Sequence, residues 1–169
     1  IKGSGILNAS YLDVTQKTSY MPSALHITDT TINVQCEKNR SCEFNGPCVL
    51  DGSANVTCVG GGTYAPLQVG VKTGDTTHSL TLKDNAKLYC LQDDMGTPTS
   101  HSVNGLELFN GATLKLEGNS YLEAQGKNSS GSYSGSAIVS ENDIIVEDNA
   151  TINANAYGAA ISTWGNVKA

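Results

Sequence analysis

Residues 80–90 are LTLKDNAKLYC, residues 114–124 are LKLEGNSYLEA, and residues 144–154 are IIVEDNATINA. The three segments share an eleven-residue pattern with aliphatic third and ninth positions, a turn former at the fifth and a small residue at the seventh. Apolar and polar residues that alternate on both sides of a central turn-forming pair are typical of two short β-strands joined at a sharp corner. Asn and Gly suit such a corner because they tolerate a positive φ.

The same frame fits three further segments: residues 4–14 (SGILNASYLDV), 48–58 (CVLDGSANVTC) and 106–116 (LELFNGATLKL). Residues 24–34 (ALHITDTTINV) fit it with the corner shifted by one residue. The ninth position is aliphatic in all six framed segments: Leu12, Val56, Leu88, Leu114, Leu122 and Ile152. We therefore expect one aliphatic ladder, in register from Ile6 to Ile152.

The spacing between equivalent residues indicates how the strands stack. Third-position residues recur after 32 residues (Leu50 to Leu82), then after 26 (Leu82 to Leu108), and later after 30 (Leu116 to Val146). A second similarity near the C-terminus has a spacing of 23, from Ile138 to Ile161 and from Ile144 to Val167. Coils of roughly 20–30 residues with insertions of varying length are typical of a parallel β-solenoid.

The predicted fold is all-β, a right-handed parallel β-helix formed by residues 1–169 as a single solenoid segment. The linkers rich in Ser, Gly and Thr are expected to project from one side of it. The alternative is an antiparallel β-sandwich with hairpin turns at Asn110-Gly111 and Gly118-Asn119. Hairpins repeat at about 8–12 residues, so the sandwich does not explain the 23-residue spacing. Because the chain begins and ends inside a repeat, we expect a fragment of a longer repetitive chain whose uncapped ends invite end-to-end association.

Composition narrows the class of function. Eighteen Gly, fifteen Asn and thirty-three Ser plus Thr dominate the 169 residues, which disfavours a helical bundle. The formal net charge is −6 and Arg40 is the single arginine, so nucleic acid is not an expected partner. No apolar run approaches the ~20 residues that span a bilayer, so no membrane insertion is expected in this segment.

Five cysteines, Cys36, Cys42, Cys48, Cys58 and Cys90, are the disulfide candidates. We expect two of the first three to close an irregular loop outside the solenoid. Cys58 and Cys90 share the eleventh position of two segments, which predicts either a stacked pair of buried thiols or a second disulfide. The cysteine content favours an oxidising, extracellular location, secreted or attached to the cell surface. Neither CxxC spacing nor histidine spacing points to zinc.

The alternating aliphatic residues and Asn-rich corners resemble those of the secreted pectate-lyase-like parallel β-helices and of bacterial surface and adhesin repeat proteins. For the pectin-active enzymes, the resemblance implies clustered aspartates with a catalytic arginine, or Gly-His-Gly and Arg-Ile-Lys motifs. Here Arg40 stands alone, and His78 and His101 lie in Thr-His-Ser and Ser-His-Ser settings. Asp93-Asp94 could bind calcium, but a solvated acidic loop is the favoured interpretation. No catalytic residue, metal or cofactor is therefore predicted.

Aromatic residues are the candidate ligand contacts. Tyr11, Tyr89 and Tyr121 occupy outward positions of the pattern, where flat rings on a polar surface suit stacking against sugars. Trp164, the sole tryptophan, lies at a predicted corner and either covers the edge of the core or serves as an exposed anchor. The predicted function is non-catalytic: an adhesin, structural rod or glycan-binding module whose partner is a polysaccharide or a cell-surface glycoprotein. The alternative is part of a β-helical polysaccharide lyase or hydrolase.

Overall fold

The computed structural model describes residues 1–15, 24–36, 40–60, 63–72, 77–92, 103–127 and 135–169. These residues form eighteen short β-strands arranged as three parallel six-stranded sheets, and no helix occurs among them. Successive strands along the chain visit the three sheets in turn, so every third strand returns to the same sheet one coil further on. This is the parallel β-helix that the repeat spacing predicts, and the sandwich alternative is wrong.

Sheet 1 has the strand order β1-β4-β7-β10-β13-β16. Its strands are β1 (Ile6–Ala9), β4 (Thr31–Cys36), β7 (Asn55–Gly60), β10 (Lys87–Gln92), β13 (Tyr121–Gly126) and β16 (Thr151–Ala156). Sheet 2 comprises β2 (Leu12–Thr15), β5 (Cys42–Asn45), β8 (Leu67–Val69), β11 (Leu106–Leu108), β14 (Ile138–Ser140) and β17 (Ile161–Thr163). Sheet 3 comprises β3 (Leu25–Thr28), β6 (Pro47–Asp51), β9 (Ser79–Leu82), β12 (Thr113–Leu116), β15 (Ile144–Val146) and β18 (Val167–Lys168).

The core is a set of aliphatic columns in which identical inward positions of successive coils lie side by side. In sheet 1 one column is Leu7, Ile32, Val56, Leu88, Leu122 and Ile152, each paired in register with the next. The middle of this column, from Ile32 to Leu122, is fully buried. Since each buried leucine-sized side chain contributes about 1.5–3 kcal/mol, these columns supply most of the driving force for coiling.

The 23-residue similarity is confirmed, because Ile138 pairs with Ile161 and Ile144 with Val167. The 32- and 30-residue spacings are also confirmed in sheet 3. The 26-residue spacing is wrong, since Leu82 pairs with Leu116, 34 residues on. Residues 106–116 lie on β11 and β12, which meet at the corner between sheets 2 and 3.

The first framed segment is likewise misplaced. Asn8 lies inside β1 rather than at a turn, and Leu12 begins β2 of sheet 2. For residues 106–116 the physical reason is that more than one corner of the coil uses the same left-handed turn chemistry: Asn110 and Gly111 have positive φ just as Asp84 does. A turn signature alone does not tell which corner it occupies. The predicted aliphatic ladder is therefore correct for the four framed segments that run from sheet 3 into sheet 1. It is wrong for residues 4–14 and for residues 106–116.

At the corner from sheet 3 to sheet 1, five successive coils place one residue each in the left-handed region. In order these residues are Asp29, Gly52, Asp84, Gly118 and Asp148, with φ between 55° and 72°. The Asp84 carboxylate accepts a hydrogen bond from the Gly52 amide at 3.0 Å, and Asp148 accepts one from the Gly118 amide at 3.0 Å. Aspartate and glycine alternate, so each glycine amide is satisfied by the carboxylate of the next coil.

Substitution of Gly118 can test how closely the coils pack at this corner. A Cβ atom at Gly118 would lie 2.9 Å from the backbone nitrogen of Asp84, whereas one at Gly111 would meet nothing within 4 Å. Both glycines have nearly the same φ, 72° and 71°. We expect Gly111→Ala to cost about 1–2 kcal/mol for the left-handed backbone alone. Gly118→Ala should cost about 1–3 kcal/mol more because of the added crowding between coils.

Urea unfolding of the two variants measures this difference. Gly5→Ala serves as the baseline, because Gly5 has an unstrained φ and open space around it. Equal losses for Gly118→Ala and Gly111→Ala would contradict the close stacking at this corner.

Candidate functional site

The outer surface of sheet 1 is built from the side chains that alternate with the core columns. One outward row is Asn8, Asn33, Thr57, Tyr89, Glu123 and Asn153, and these residues are in register across all six coils. Neighbouring parallel strands lie about 4.8 Å apart, so the row extends over about 24 Å. The strands of sheet 1 contain two charged residues, Lys87 and Glu123, of opposite sign. The surface is therefore long, rich in amides and close to neutral.

Two of the predicted tyrosines meet in the middle of this surface. The Tyr89 and Tyr121 ring centroids are 5.8 Å apart with an angle of 51° between the ring planes. Such a tilted pair lies within the range of favourable aromatic contacts. Both side chains are half-buried. The pair therefore offers a fixed apolar platform between polar neighbours.

A chain of hydrogen bonds holds Tyr121 in place. Its hydroxyl donates to Glu123 Oε2 at 3.0 Å and accepts from Asn153 Nδ2 at 3.3 Å. Gln125 Nε2 donates to the other oxygen, Glu123 Oε1, at 3.0 Å. The carboxylate is thus occupied in orienting the tyrosine and the glutamine.

Shallow grooves flank the tyrosine pair on the same sheet. One, of about 540 Å³, lies over coils 1 to 3 and is lined by Asn8, Ala9, Ser10, Asn33, Val34, Gln35, Thr57 and Val59. The other, of about 310 Å³, lies over the last two coils and is lined by Gln125, Gly126, Lys127, Asn155, Ala156 and Tyr157. Each groove includes amide side chains, three in the first and two in the second, and these both donate and accept hydrogen bonds. The arrangement of groove, aromatic pair and groove suits an extended polyhydroxyl ligand.

The other predicted aromatic residues lie elsewhere. Tyr11 lies at the corner between sheets 1 and 2, is 45% exposed, and its hydroxyl lies 3.5 Å from Glu43 Oε2. Burial and then the negative charge of Glu43 raise the pKa of Tyr11. Trp164 is 76% exposed between β17 and β18, so it does not cover the core edge. Sequence reasoning missed Tyr157, which is 81% exposed and directly follows β16, the last strand of sheet 1. Its place shortly after the repeat at residues 144–154 was the available signal.

Sequence reasoning also missed a charged cluster on the outer side of sheet 2. Glu43 points away from the core yet is only 5% exposed, since Arg40 and Lys72 from neighbouring connections cover it. Arg40 Nη1 lies 2.7 Å from Glu43 Oε2, and Lys72 Nζ lies 2.7 Å from Asp13 Oδ2. The positive and negative side chains compensate one another, so the cluster stabilises the coils.

The cysteines do not follow the predicted loop. Cys42 lies in β5 and Cys48 in β6, and both side chains are buried in the core rather than in a loop outside it. Strand alternation explains this, because both occupy inward positions. Cys58 and Cys90 do stack in register in sheet 1, as expected. All five thiols are free, and Cys36 is half-buried.

The histidines and the aspartate pair weighed above as catalytic or calcium-binding residues do not form a site in the described part of the chain. His78 is buried, and its Nδ1 accepts a hydrogen bond from the Gly46 amide at 3.0 Å; burial lowers its pKa. Asp93, Asp94 and His101 fall outside the described residues. Among the residues that the structure does describe, no group of three or more His, Cys, Asp or Glu side chains is arranged to hold a metal ion, and no helix has the length and apolarity needed to cross a bilayer.

Comparisons of the chain with protein-family models, with curated proteins and with solved structures found no match.

The Asp13–Lys72 ion pair makes a prediction about pH. Burial alone would raise the pKa of Asp13, but the hydrogen bond and charge of Lys72, with a hydrogen bond from Thr15, lower it below its usual value. The stabilisation from this pair is therefore present above the ordinary pKa of an aspartate, and it is lost as the pH falls through the lowered pKa.

Replacing Lys72 by Met should raise the pKa of Asp13 towards its usual value, as followed by the carboxyl carbon shift in an NMR titration. Lys83→Met is the control, because Lys83 pairs with Glu117 at the corner that follows sheet 3, and its loss should leave Asp13 unchanged. An Asp13 that titrates identically in wild type and Lys72→Met would contradict the ion pair.

Proposed function

We propose that this chain is a non-catalytic extracellular β-solenoid module that binds a neutral polysaccharide along the outer surface of sheet 1. The observation that carries the proposal is the Tyr89–Tyr121 pair placed between two amide-lined grooves on one sheet. Aromatic faces supply apolar contact to the faces of sugar rings, and amides supply orienting hydrogen bonds to their hydroxyl groups.

The electrostatics favour a neutral ligand over an acidic one. The two charged strand residues of sheet 1, Lys87 and Glu123, cancel in formal charge, and the chain as a whole carries −6. An acidic polysaccharide would meet repulsion from the chain's net charge and no basic patch on this surface. Hydroxyl-rich neutral chains need no counter-charge.

A binding role is favoured over catalysis on this surface for a chemical reason. Glycoside hydrolysis ordinarily uses two carboxyl groups on either side of the scissile bond. The strands of sheet 1 carry one carboxylate, Glu123, and it is engaged by Tyr121 and Gln125. A stiff solenoid that presents a ligand-binding surface suits an adhesin or a cell-surface rod, because its length grows with the number of coils.

The test is calorimetric titration of the protein with soluble neutral glucans, xylans and galactomannans, and with polygalacturonate for comparison. We expect one neutral class to bind with an affinity that barely changes with ionic strength. Tyr89→Ala and Tyr121→Ala should each weaken binding by about 2–10-fold, the worth of one aromatic contact. Tyr121→Phe keeps the ring and should lose less.

Trp164→Ala is the matched control, since Trp164 is an exposed aromatic residue in the connection between sheets 2 and 3, away from the outer surface of sheet 1. Unchanged affinity in the Tyr89→Ala/Tyr121→Ala double variant, folded by circular dichroism, would overturn the proposed site. Binding of polygalacturonate alone would overturn the neutral ligand. Release of reducing or unsaturated ends during the incubation would favour the lyase or hydrolase alternative.

A further inference from the structure

Four cysteine side chains converge in the core of the second to fourth coils. Cys42 comes from sheet 2, Cys48 from sheet 3, and Cys58 and Cys90 from neighbouring strands of sheet 1. All four are buried, at 0–1% exposure. Free cysteine packs as a small apolar residue, so burial alone explains nothing beyond packing. The distance between two of the sulfur atoms, however, indicates more than packing.

The Sγ atoms of Cys42 and Cys58 lie 3.0 Å apart across the core. The S–S distance in a disulfide is about 2.05 Å, so a movement of about 1 Å joins these two sulfurs. Cys58 and Cys90 are less suited, although they pair in register. In-register side chains on neighbouring parallel strands keep the ~4.8 Å strand spacing, whereas disulfides bring Cβ atoms to about 3.5–4.5 Å.

We propose that Cys42 and Cys58 form an internal disulfide that links the second coil to the third through the core. The bond forms by exchange with a small-molecule disulfide such as oxidised glutathione. Two cysteine S–H bonds and the S–S bond of the oxidant break, one S–S bond forms in the protein, and two thiols of the reagent take up the two protons. Cys36, Cys48 and Cys90 stay reduced.

The bond forms while the chain folds and is protected afterwards. The attacking species in exchange is the thiolate. The pKa of the Cys58 thiol is raised by its hydrogen bond to Cys42 and by burial. Burial also raises the pKa of Cys90 and of Cys48. In the folded core these thiols are therefore poor nucleophiles, and reagents have no path to them. This inference is independent of glycan binding: either proposal can fail while the other stands.

The test compares the full chain refolded from denaturant with a glutathione redox buffer and with a strong reductant. Both samples are then denatured and alkylated. Cleavage at Glu43 and Asp51 places Cys42, Cys48 and Cys58 on three separate peptides, so mass spectrometry identifies the linked pair. We expect the oxidised sample to lose the mass of two hydrogens, to alkylate at three thiols and to yield the Cys42–Cys58 peptide.

The oxidised wild type should also melt about 6–12 °C above the reduced wild type, because the bond closes a loop of about 15 residues. This comparison uses one sequence and avoids variants that misfold. Cys90→Ala should retain the link, and Cys42→Ala should lose both the link and the difference in melting temperature. Five alkylated thiols after oxidative refolding, or a link from Cys58 to Cys48 or Cys90, would overturn the proposal.

Discussion

The fold depends on one hydrogen-bonded corner that repeats along the axis between sheets 3 and 1. Asp84 and Asp148 reach back to the amides of Gly52 and Gly118 in the preceding coils, and all four residues adopt positive φ. Glycine supplies the absence of a side chain, and aspartate supplies the carboxylate that satisfies the glycine amide. Because the corner has constant geometry, the strands on either side keep one register, and the aliphatic columns stack without offset.

The inward side chains are similar from coil to coil, whereas the outward side chains differ between the sheets. Because side chains alternate along a strand, every second residue points into the core. The outward side chains do not pack in the core, and they differ from sheet to sheet. Sheet 1 presents amides and the Tyr89–Tyr121 pair. Sheet 3 and the corner that follows it carry ion pairs, in which Lys115 lies 2.7 Å from Glu117 and 3.0 Å from Glu147. Salt-bridged rows stabilise the coils against one another, whereas the amide-lined surface leaves hydrogen-bonding capacity for a ligand.

The sequence predicted the coil architecture because the periodic signal is chemical: aliphatic positions on both sides of a left-handed turn. It misassigned residues 106–116, since a turn former does not reveal which corner it occupies. It misassigned residues 4–14 because Asn8, although a turn former, lies inside β1. Tyr89 and Tyr121 were predicted to point outward, and the structure adds that they meet. The cluster of Arg40, Glu43 and Lys72 was not predictable, because connections of differing length bring together residues such as Lys72 and Asp13, 59 positions apart. The close approach of Cys42 and Cys58 depends on the width of the core, which no spacing encodes.

The most direct measurement of the coiled architecture is a map of nuclear Overhauser contacts between backbone protons in uniformly labelled protein. A parallel coil brings Leu88 beside Leu122 and Lys87 beside Tyr121, so inter-strand contacts should link residues 87–90 to residues 121–124 in a constant offset of 34. Contacts running in opposite directions across Gly118-Asn119, with Leu116 facing Tyr121, would mean a hairpin. That result would contradict the solenoid and every surface derived from it.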